Sequence, residues 1–379
     1  MGISAPAHIG MALSDVDTPS LIIDLDSYER NLRRMADAAK AAGMRLRPHG
    51  KTHKSPIIGR HQIERGAIGL CCQKVAEAEV FVAAGIDDIL VSNEVVGASK
   101  LDRLARLART ARIGLCADNI ENIRDIAAAA ERADVRLSVI VEIDVGGRRC
   151  GVPPGESALR LATTIAQSNV LQFGGLQAYH GAAQHMRTHA ERADAIARAA
   201  AQTYETVALL EREGLPCVTI GGAGTGTFEL ESTSGVLNEI QPGSYIFMDA
   251  DYARNRNAAG DAFDTFAFAL FVYTTIMSRT DDERAVVDAG HKAAAVDSGM
   301  SVPFNRPGLE YQRPSDEHGV LVCGSAGRLP ELGEKILLVP GHCDPTVNLH
   351  DWYVGVRGLD GGTPRVEAIW PITARGALF

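Results

Sequence analysis

The chain of 379 residues contains no hydrophobic run that approaches the length of a membrane span. Its N-terminus also lacks the basic segment followed by an apolar segment that marks a secretory signal. Basic residues are outnumbered, with 38 Lys and Arg against 47 Asp and Glu, and the formal net charge is −9. Binding to nucleic acid or to an anionic membrane is therefore not expected. We expect a cytoplasmic protein.

Cysteine is present, but not in a pattern that binds zinc or builds a disulfide framework. The seven cysteines are odd in number, and no two of them form a Cys-x-x-Cys pair. Two of them, Cys71 and Cys72, are adjacent. This pattern is typical of free thiols in a reducing compartment.

The most distinctive stretch comprises residues 47–54, which follow an amphipathic helix and a short alternation of apolar and polar residues. Alternate side chains of an extended strand share a face. The side chains that would then point the same way are Arg47, His49, Lys51 and His53. A solvent-exposed strand end would also explain any one of them.

Lys51 is the catalytic candidate in this group. Pro48 restricts the backbone and Gly50 opens it just where the Lys51 side chain would be aimed. Neighbouring cations would lower the pKa of a lysine, and a lowered pKa is what an amine needs to attack a carbonyl or an aldehyde cofactor. We therefore predict that Lys51 is a Schiff-base lysine.

Strand-like and helix-like segments alternate over the first two thirds of the chain. The predicted strands are 45–50, 67–71, 88–92, 112–116, 136–143, 172–179, 217–220 and 237–241. The clearest helical stretches between them are 74–84, 98–109, 119–133, 155–168 and 187–213. Eight strands separated by helix-sized segments fit the roughly 250 residues of a (β/α)8 TIM-type barrel.

The hydrophobic pattern of the sequence changes after residue 262, where helical periodicity nearly vanishes. Strand-like runs occur at 266–273, 284–288, 335–339 and 352–356. They predict a second, all-β domain, which an early run at 21–25 could join. The predicted division is a barrel at 27–260 and a β-domain made of 1–26 and 261–379.

In a barrel, the active site lies at the C-terminal ends of the strands. The polar and glycine-rich segments that follow the predicted strands are Lys51, Gln73, 144–151, 179–185, 221–226 and 243–245. The loop 221–226 follows the seventh strand, where barrels commonly hold a phosphate through backbone N–H groups and a hydroxyl such as that of Thr225. Taken alone, this loop could equally be a mobile turn.

A second cluster occurs late in the chain, at 340–350. His342 and Asp344 are two residues apart, so on an extended backbone they would share a face while Cys343 turned to the other. An imidazole and a carboxylate suit Mg²⁺, Mn²⁺ or Zn²⁺. The alternative is an ordinary turn ordered by Pro345. A polar turn at 316–319 could line the same site.

With these residues in view, the chain resembles the D-threonine aldolase and D-serine dehydratase group of fold-type III pyridoxal-phosphate enzymes. More narrowly, it is similar to the 3-hydroxy-D-aspartate aldolases. The resemblance covers nearly the whole chain and implies a barrel like the alanine racemase N-terminal domain. Its motifs lie at 17–19, 48–55, 71–79, 142–144, 149–152, 175–179, 243–245, 248–252, 315–319, 341–345 and 350–355.

The resemblance also implies roles for individual residues. Lys51 would carry pyridoxal 5′-phosphate, Arg149 would face the pyridine nitrogen, and Tyr179 would pack near the cofactor. The other cofactor-binding residues that it implies are Gln73, Gly224, Thr225, Gly226 and Tyr245. Arg148 precedes Arg149 where the group has small residues, so either arginine could face the ring.

The implied metal ligands are His342 and Asp344, with Mg²⁺ or Mn²⁺ favoured over Zn²⁺. His185 is the implied acid/base, with a metal-bound water as the alternative. The implied reaction cleaves a D-3-hydroxy amino acid, such as 3-hydroxy-D-aspartate or D-threonine, to glycine and an aldehyde, and a homodimer is expected. The rivals are a dehydratase, whose metal pair resembles His-x-Cys, a racemase, and a non-catalytic pyridoxal-phosphate carrier that resembles the barrel alone.

Overall fold

The computed structural model describes residues 4–324 and 327–379 of the chain. Residues 1–3 and 325–326, which belong to the predicted β-domain, lie outside the described residues. The first strand, β1 (Ser20–Asp24), is buried along its whole length. The helix α1 (Leu25–Ala41) follows it directly, because the Asp24 side chain accepts hydrogen bonds from the first free backbone N–H groups of the helix.

Eight short parallel strands then form one closed sheet. In chain order they are β2 (Arg45–Leu46), β3 (Leu70–Cys72), β4 (Asp88–Glu94), β5 (Arg112–Ala117), β6 (Leu137–Glu142), β7 (Leu171–Gln177), β8 (Thr219–Gly222) and β9 (Glu239–Ile240). Neighbours from β3 to β9 pair in parallel, and β9 pairs with β2. A parallel bridge between His49 and Cys71 closes the ring. The predicted barrel is confirmed, and each strand lies within a few residues of its predicted range.

Helices connect these strands around the outside of the barrel. They are α2 (Pro56–Glu64), α3 (Val75–Ala83), α4 (Ala98–Leu107), α5 (Ile120–Ala133), α6 (Glu156–Ala166), α7 (His189–Arg212) and α8 (Phe228–Ser232). Sequence-local caps start two of them, since Asn119 accepts from the first backbone N–H groups of α5 and Thr188 forms a capping box with Glu191 at α7. The five predicted helices are therefore confirmed. Short 3₁₀ turns at Gly181–His185 and Tyr252–Arg254 matter for the site.

The remaining strands form a second, nine-stranded sheet together with β1. They are β10 (Leu270–Ser278), β11 (Arg284–Val287), β12 (Val302–Pro303), β13 (Leu309–Pro314), β14 (Gly319–Cys323), β15 (Lys335–Val339), β16 (Trp352–Arg357) and β17 (Arg365–Pro371). The strand β1 pairs antiparallel with β10 and parallel with β16. The early strand thus joins the second sheet, as the sequence suggested. The division at residues 27 and 261 stays a prediction.

One hydrophobic core joins the barrel to the second sheet. It contains Leu46 and Ile240 from the barrel strands together with Leu270 and Leu338 from the sheet, all less than a tenth exposed. Burial of this much apolar surface fixes the two parts against each other. The short helix α9 (Cys343–Val347), which follows β15, is thereby held over the carboxyl ends of the barrel strands.

The structure bears on two expectations, the one about membrane spans and the one about the cysteines. No described helix is both long and apolar enough to cross a membrane. All seven cysteines lie within the described residues and are free thiols. Burial raises the pKa of the Cys71 and Cys343 thiols above the ordinary value, which is typical of structural cysteines rather than reactive ones.

Candidate active site

A cavity opens at the carboxyl ends of the barrel strands. Six of the predicted site residues line it: Lys51, Gln73, Arg149, Tyr179, Gly224 and Thr225. They come from the ends of five different strands, so the closed barrel brings together side chains that are far apart in sequence. A larger cavity at the opposite mouth of the barrel is lined by charged residues that pair with one another, including Arg47 with Glu239 and Asp88.

The predicted shared face of residues 47–53 is wrong. The strand β2 ends at Leu46, and a turn follows the bridge at His49. Arg47 reaches the opposite mouth of the barrel, His49 lines the candidate site, and His53 is fully buried against Gln62. The reason is that a turn rotates each side chain separately, so the two-residue period of a strand does not extend to residue 53.

Lys51 lies at the top of the first barrel strand. Its Nζ is 3.2 Å from Oδ2 of Asp344, which belongs to α9 in the second part of the chain. The predicted lowering of its pKa is also wrong, because the charge of the Asp344 carboxylate outweighs burial and the nearby cations and raises the pKa of Lys51 above its ordinary value. The contact joins the two parts of the molecule at one point.

Arg149 is the arginine that lines the cavity. Its guanidinium lies 5.5 Å from the centre of the Tyr179 ring and 3.7 Å from Oε1 of the buried Glu142. Arg148 is exposed, and its backbone N–H donates to Oδ1 of Asp144, which tightens the turn. The sequence left open which of the two arginines faces the site. In the structure, Arg149 lines the cavity and Arg148 does not.

Glu142, at the end of β6, places a buried carboxyl group behind Arg149. Burial and the neighbouring Glu94 carboxylate together raise the pKa of the Glu142 carboxyl to about 8, although Arg149 acts in the opposite direction. Its side chain is only 4% exposed, and Oε2 has no hydrogen-bond partner among the described residues. Arg149 therefore favours the ionised form of a carboxyl group that burial otherwise keeps protonated.

The glycine-rich loop after β8 reaches the cavity through Ala223, Gly224 and Thr225. The N–H of Gly226 donates to Oε1 of Gln184 at 3.0 Å and is already committed. A Cβ at Gly224 would lie 2.5 Å from the same oxygen, so the fully buried Gln184 explains why this position requires glycine. The Thr225 hydroxyl accepts from the Tyr245 backbone N–H at 2.9 Å.

Two of the predicted cofactor-binding residues, Gly226 and Tyr245, do not line the cavity. Gly226 does not line the cavity, although Gly224 and Thr225 do. The side chain of Tyr245 is 1% exposed, packs on Phe266, and accepts from Gln62 Nε2 at 3.1 Å. Tyr245 could thus contact a cofactor only through its backbone, because its ring belongs to the hydrophobic core.

The predicted metal pair lies in a helical turn, not on an extended strand. His342 is extended, but Cys343 begins α9. The Cys343 thiol is fully buried and within 3.5 Å of Oδ1 of Asp344, so the predicted separation of thiol and carboxylate to opposite faces is wrong. Asp249 causes this geometry, because its buried carboxylate accepts from the Cys343 backbone N–H at 3.1 Å and starts the turn.

The donor set of this turn suits a divalent cation. The Nδ1 of His342 lies 2.7 Å from Oδ2 of Asp297, which leaves Nε2 as the ligand nitrogen, as in carboxylate–histidine–metal arrangements. Burial works to raise the pKa of the Asp344 carboxyl, but Lys51 and His342 outweigh it and hold that pKa well below its ordinary value. Asp344 is therefore a carboxylate and could bind a cation.

His185 ends the Gly181–His185 turn and has a close acidic partner. Its Nδ1 lies 2.5 Å from Oδ2 of Asp251, which is 4% exposed. The His185 ring also lies 5.6 Å from the ring of Tyr252, which lines the cavity. The backbone N–H of Asp251 donates to the Gly341 carbonyl at 3.2 Å, which places the pair beside the metal turn.

Several residues of the site were not found from the sequence. Ser92, Gln177 and Gln241 line the cavity, and Asp251 and Asp297 hold His185 and His342. His49 and Ser244 also line it, within segments that the sequence had already indicated. Strand alternation could have identified Gln177, which is two residues from Tyr179. No local pattern marks Asp297, because its partner is 45 residues away.

The cavity fits a phosphorylated aldehyde. It combines an amine at Lys51, a cation at Arg149 and a glycine-lined loop, and a Cβ at Gly243 would lie 2.4 Å from Oγ1 of Thr52. Gln177 also presents a buried Oε1 that has no hydrogen-bond partner among the described residues. An amine, an anion-binding loop and an oriented cation are what the binding of pyridoxal phosphate requires.

His53 leads to a prediction about stability and pH. Burial lowers the pKa of His53 from 6.5 to about 4, so the fold favours the neutral ring. The stability that this contributes is complete above pH 6.5 and is lost as the pH falls from 6.5 towards 4, a loss of up to about 3 kcal/mol. Urea unfolding across this range should show a flatter decline for His53→Asn than for the wild type. Equal slopes would contradict the assignment.

Family matches agree with the fold and the site. Residues 23–251 match the family described as alanine racemase, N-terminal domain, and residues 269–356 match a serine dehydratase domain. The first match alone covers more than half of the chain. The two matches correspond to the barrel and to the sheet that carries α9.

Individual relatives are similar over almost the whole chain. It is 48% identical over 380 residues to a 3-hydroxy-D-aspartate aldolase of Paracoccus denitrificans (strain Pd 1222), covering 99% of this chain and 96% of that one. It is 46% identical over 376 residues to a D-threonine aldolase of Arthrobacter sp., covering 99% and 97%. The crystal structure of D-threonine aldolase from Filomicrobium marinum matches with a TM-score of 0.96 and 55% identity, covering 100% of both chains.

A dehydratase is a more distant relative. The D-threo-3-hydroxyaspartate dehydratase of Delftia sp. (strain HT23) is 30% identical over 357 residues, covering 88% of this chain and 92% of that one. The higher identity to the aldolases separates this chain from the dehydratase branch. The chain therefore belongs to the alanine racemase N-terminal domain family of fold-type III pyridoxal-phosphate enzymes, among the carbon–carbon lyases that include the D-threonine and 3-hydroxy-D-aspartate aldolases.

Proposed function

We propose that this chain uses pyridoxal 5′-phosphate and a divalent cation to cleave D-3-hydroxy amino acids. The products would be glycine and glyoxylate from 3-hydroxy-D-aspartate, or glycine and acetaldehyde from D-threonine. The observation that carries the proposal is the 3.2 Å approach of Lys51 Nζ to Asp344 Oδ2. It brings the amine of the barrel and the carboxylate of the second sheet to one point, so one substrate can contact both.

Pyridoxal phosphate, when bound, supplies an aldehyde that amines attack and a conjugated ring that accepts an electron pair from the substrate. Lys51 provides the amine at the end of the first barrel strand. The backbone at Gly224 and the Thr225 hydroxyl would hold the phosphate, while Arg149 would face the pyridine nitrogen. Gln73 hydrogen-bonds His49 Nε2 at 2.9 Å and so supports the floor of the pocket beside Lys51.

A divalent cation, when bound, supplies a Lewis acid that lowers the pKa of a coordinated hydroxyl. Nε2 of His342 and the carboxylate of Asp344 would hold it, with Asp297 fixing the histidine ring. An imidazole and a carboxylate, completed by water or substrate oxygens, favour Mg²⁺ or Mn²⁺ over Zn²⁺. The fully buried Cys343 thiol lies in the hydrophobic core and is not proposed as a ligand.

The reaction that these residues support is a retro-aldol cleavage. A base, either His185 or a water, takes the proton of the β-hydroxyl group. The Cα–Cβ bond then breaks, the β-carbon leaves as an aldehyde, and the electron pair left on Cα is protonated to give glycine. The partly buried pocket keeps the ionised groups close to the substrate and limits competing reactions with water.

The predicted homodimer, cytoplasmic location and division of the chain at residues 27 and 261 are part of the same proposal. The net charge of −9 and the absence of a long basic cluster support a protein that acts on a small molecule rather than on nucleic acid. Light scattering on the purified protein would test the dimer directly, with a monomer as the contradicting result.

Chelation followed by product analysis tests the proposed reaction. Removal of divalent cations should abolish turnover while the visible absorbance of the bound cofactor survives, because the cation and the cofactor are held by different residues. Mg²⁺ or Mn²⁺ should restore turnover, with glycine and glyoxylate as products from 3-hydroxy-D-aspartate. Ammonia and oxaloacetate as the main products would instead establish the dehydratase alternative. D-threonine and D-serine, assayed in parallel, would define the substrate range.

A further inference from the structure

The carboxyl group of Asp251 contacts one imidazole and two guanidinium groups. It precedes the Tyr252–Arg254 turn, and its side chain is 4% exposed. Oδ2 receives Nδ1 of His185 at 2.5 Å, while Oδ1 accepts from Nη2 of Arg187 at 2.6 Å and from Nη2 of Arg254. The two oxygens therefore have different partners. Oδ2 contacts the imidazole, and Oδ1 accepts hydrogen bonds from two guanidinium groups.

These partners determine the charge of Asp251. Burial works to raise the pKa of its carboxyl group, but the three donors outweigh burial and hold that pKa well below its ordinary value. A carboxylate can only accept hydrogen bonds, so the His185 nitrogen that faces it must carry a proton. The other ring nitrogen, Nε2, is then the one left with a lone pair when the ring is neutral.

His185 is partly exposed and lies close to the cavity, so its free lone pair could accept a proton from a bound molecule. Its side chain is 46% exposed, whereas its partner is almost completely buried. The ring lies 5.6 Å from that of Tyr252, a residue of the cofactor cavity. The backbone of Asp251 is also hydrogen-bonded to Gly341, the residue before His342. The imidazole therefore lies beside a residue of the cavity, and its acidic partner lies beside the metal turn.

We propose that Asp251 is a positioning residue that keeps the proton of His185 on Nδ1, so that Nε2 acts as the base for the β-hydroxyl group. Arg187 and Arg254 keep Asp251 ionised and fixed in orientation. The inference rests on the proposed aldol cleavage and decides between its two candidate bases in favour of His185 over a water. Asp251 acts only through His185 and does not contact the substrate.

The asymmetry of the carboxylate permits a nearly isosteric test. In Asp251→Asn, the two guanidinium groups can only donate, so the amide oxygen must take the Oδ1 position and the amide nitrogen must face His185. The –NH₂ group then donates to Nδ1 and forces the proton to Nε2, which removes the base without removing a side chain. We expect kcat to fall by about 10²- to 10⁴-fold. KM and the visible absorbance of the bound cofactor should change little.

A double-mutant cycle separates this role from a structural one. Asp251→Asn should have no further effect on kcat in a His185→Ala background, because its effect passes through His185. Equal losses in both backgrounds would overturn the proposal. Asp194→Asn, an exposed substitution on α7, is the matched control and should leave kcat unchanged.

A second measurement does not depend on the reaction. Nitrogen-15 spectra of histidine-labelled holoenzyme, assigned by comparison with His185→Ala, should show the Nδ1–H form of His185 in the wild type and the Nε2–H form in Asp251→Asn. A wild-type Nε2–H form would overturn the proposal even if the variant failed to fold. A wild-type Nδ1–H form without any aldol products would support the role of Asp251 and instead refute the proposed function.

Discussion

Replacing Lys51 by Met is expected to abolish turnover and the visible absorbance of the bound cofactor, while replacing Lys54 by Met is expected to damage stability instead. The two lysines are three residues apart, but only Lys51 lines the cavity. The loss of a catalytic nucleophile should lower kcat by roughly a thousandfold or more. Lys51→Met should lose less stability in urea than Lys54→Met, because the Lys51 side chain is 42% exposed and Asp344 keeps His342 as a second cationic neighbour.

Lys54 has a different environment. Its Nζ donates to Oε1 of Glu77 at 2.5 Å, and both side chains are almost fully buried. Removing the lysine leaves a buried carboxylate unpaired, which costs about 3 to 5 kcal/mol. Reduction with borohydride followed by peptide mapping should place the pyridoxyl group on Lys51 in both the wild type and Lys54→Met. A label on Lys54 or Lys74 would refute the assignment.

Asp344→Asn is expected to remove turnover by a different route. Asparagine keeps the shape and an oxygen ligand, but it loses the charge that attracts a divalent cation. A Lewis acid contributes several kcal/mol to such a step, so its loss should lower kcat by about a thousandfold. The affinity for Mn²⁺, measured by equilibrium dialysis in the absence of substrate, should fall in parallel. Asp360→Asn, in an exposed turn of the same sheet, is the matched control.

Asp344 also pairs with Lys51, so the variant requires one further measurement. The rate at which the visible absorbance appears on adding pyridoxal phosphate to the apoprotein reports on Lys51 and the phosphate loop, and it does not require the cation. We expect the absorbance to form in Asp344→Asn, because the amine and the phosphate loop are intact. Unchanged Mn²⁺ affinity together with unchanged turnover would show that the cation binds elsewhere.

The predictable parts of this protein are those governed by local chemistry. Segments such as 112–116 and 119–133 have hydrophobic periodicities that distinguish strand from helix, and caps such as Asn119 start the helices. The alternation of strands and helices then indicates parallel pairing, because parallel strands require crossover helices, and eight such pairs fit a closed barrel. Lys51, Gln73, Arg149 and Tyr179 could be selected because barrel sites form where strands end.

The errors share one cause. The wrong predictions for residues 47–53 and 342–344 assume extended segments, in which side chains alternate. In the structure, the first segment leaves its strand after Leu46, and the second becomes helical because Asp249, distant in sequence, caps it. The predicted role of Tyr245 is left to its backbone, because its hydroxyl accepts from Gln62 and its ring lies in the core. Local periodicity contains no information about such partners.

The sequence by itself determined the barrel, the second all-β region and the residue types of the site, because strand and helix signals depend on neighbours within a few positions. Only the tertiary structure decided the charges within the site. Asp344 raises the pKa of Lys51, and Asp251 fixes the proton of His185. These pairs are separated by 293 and 66 residues. Electrostatic interactions act through space, so the protonation states of the site follow from the packing of the two sheets.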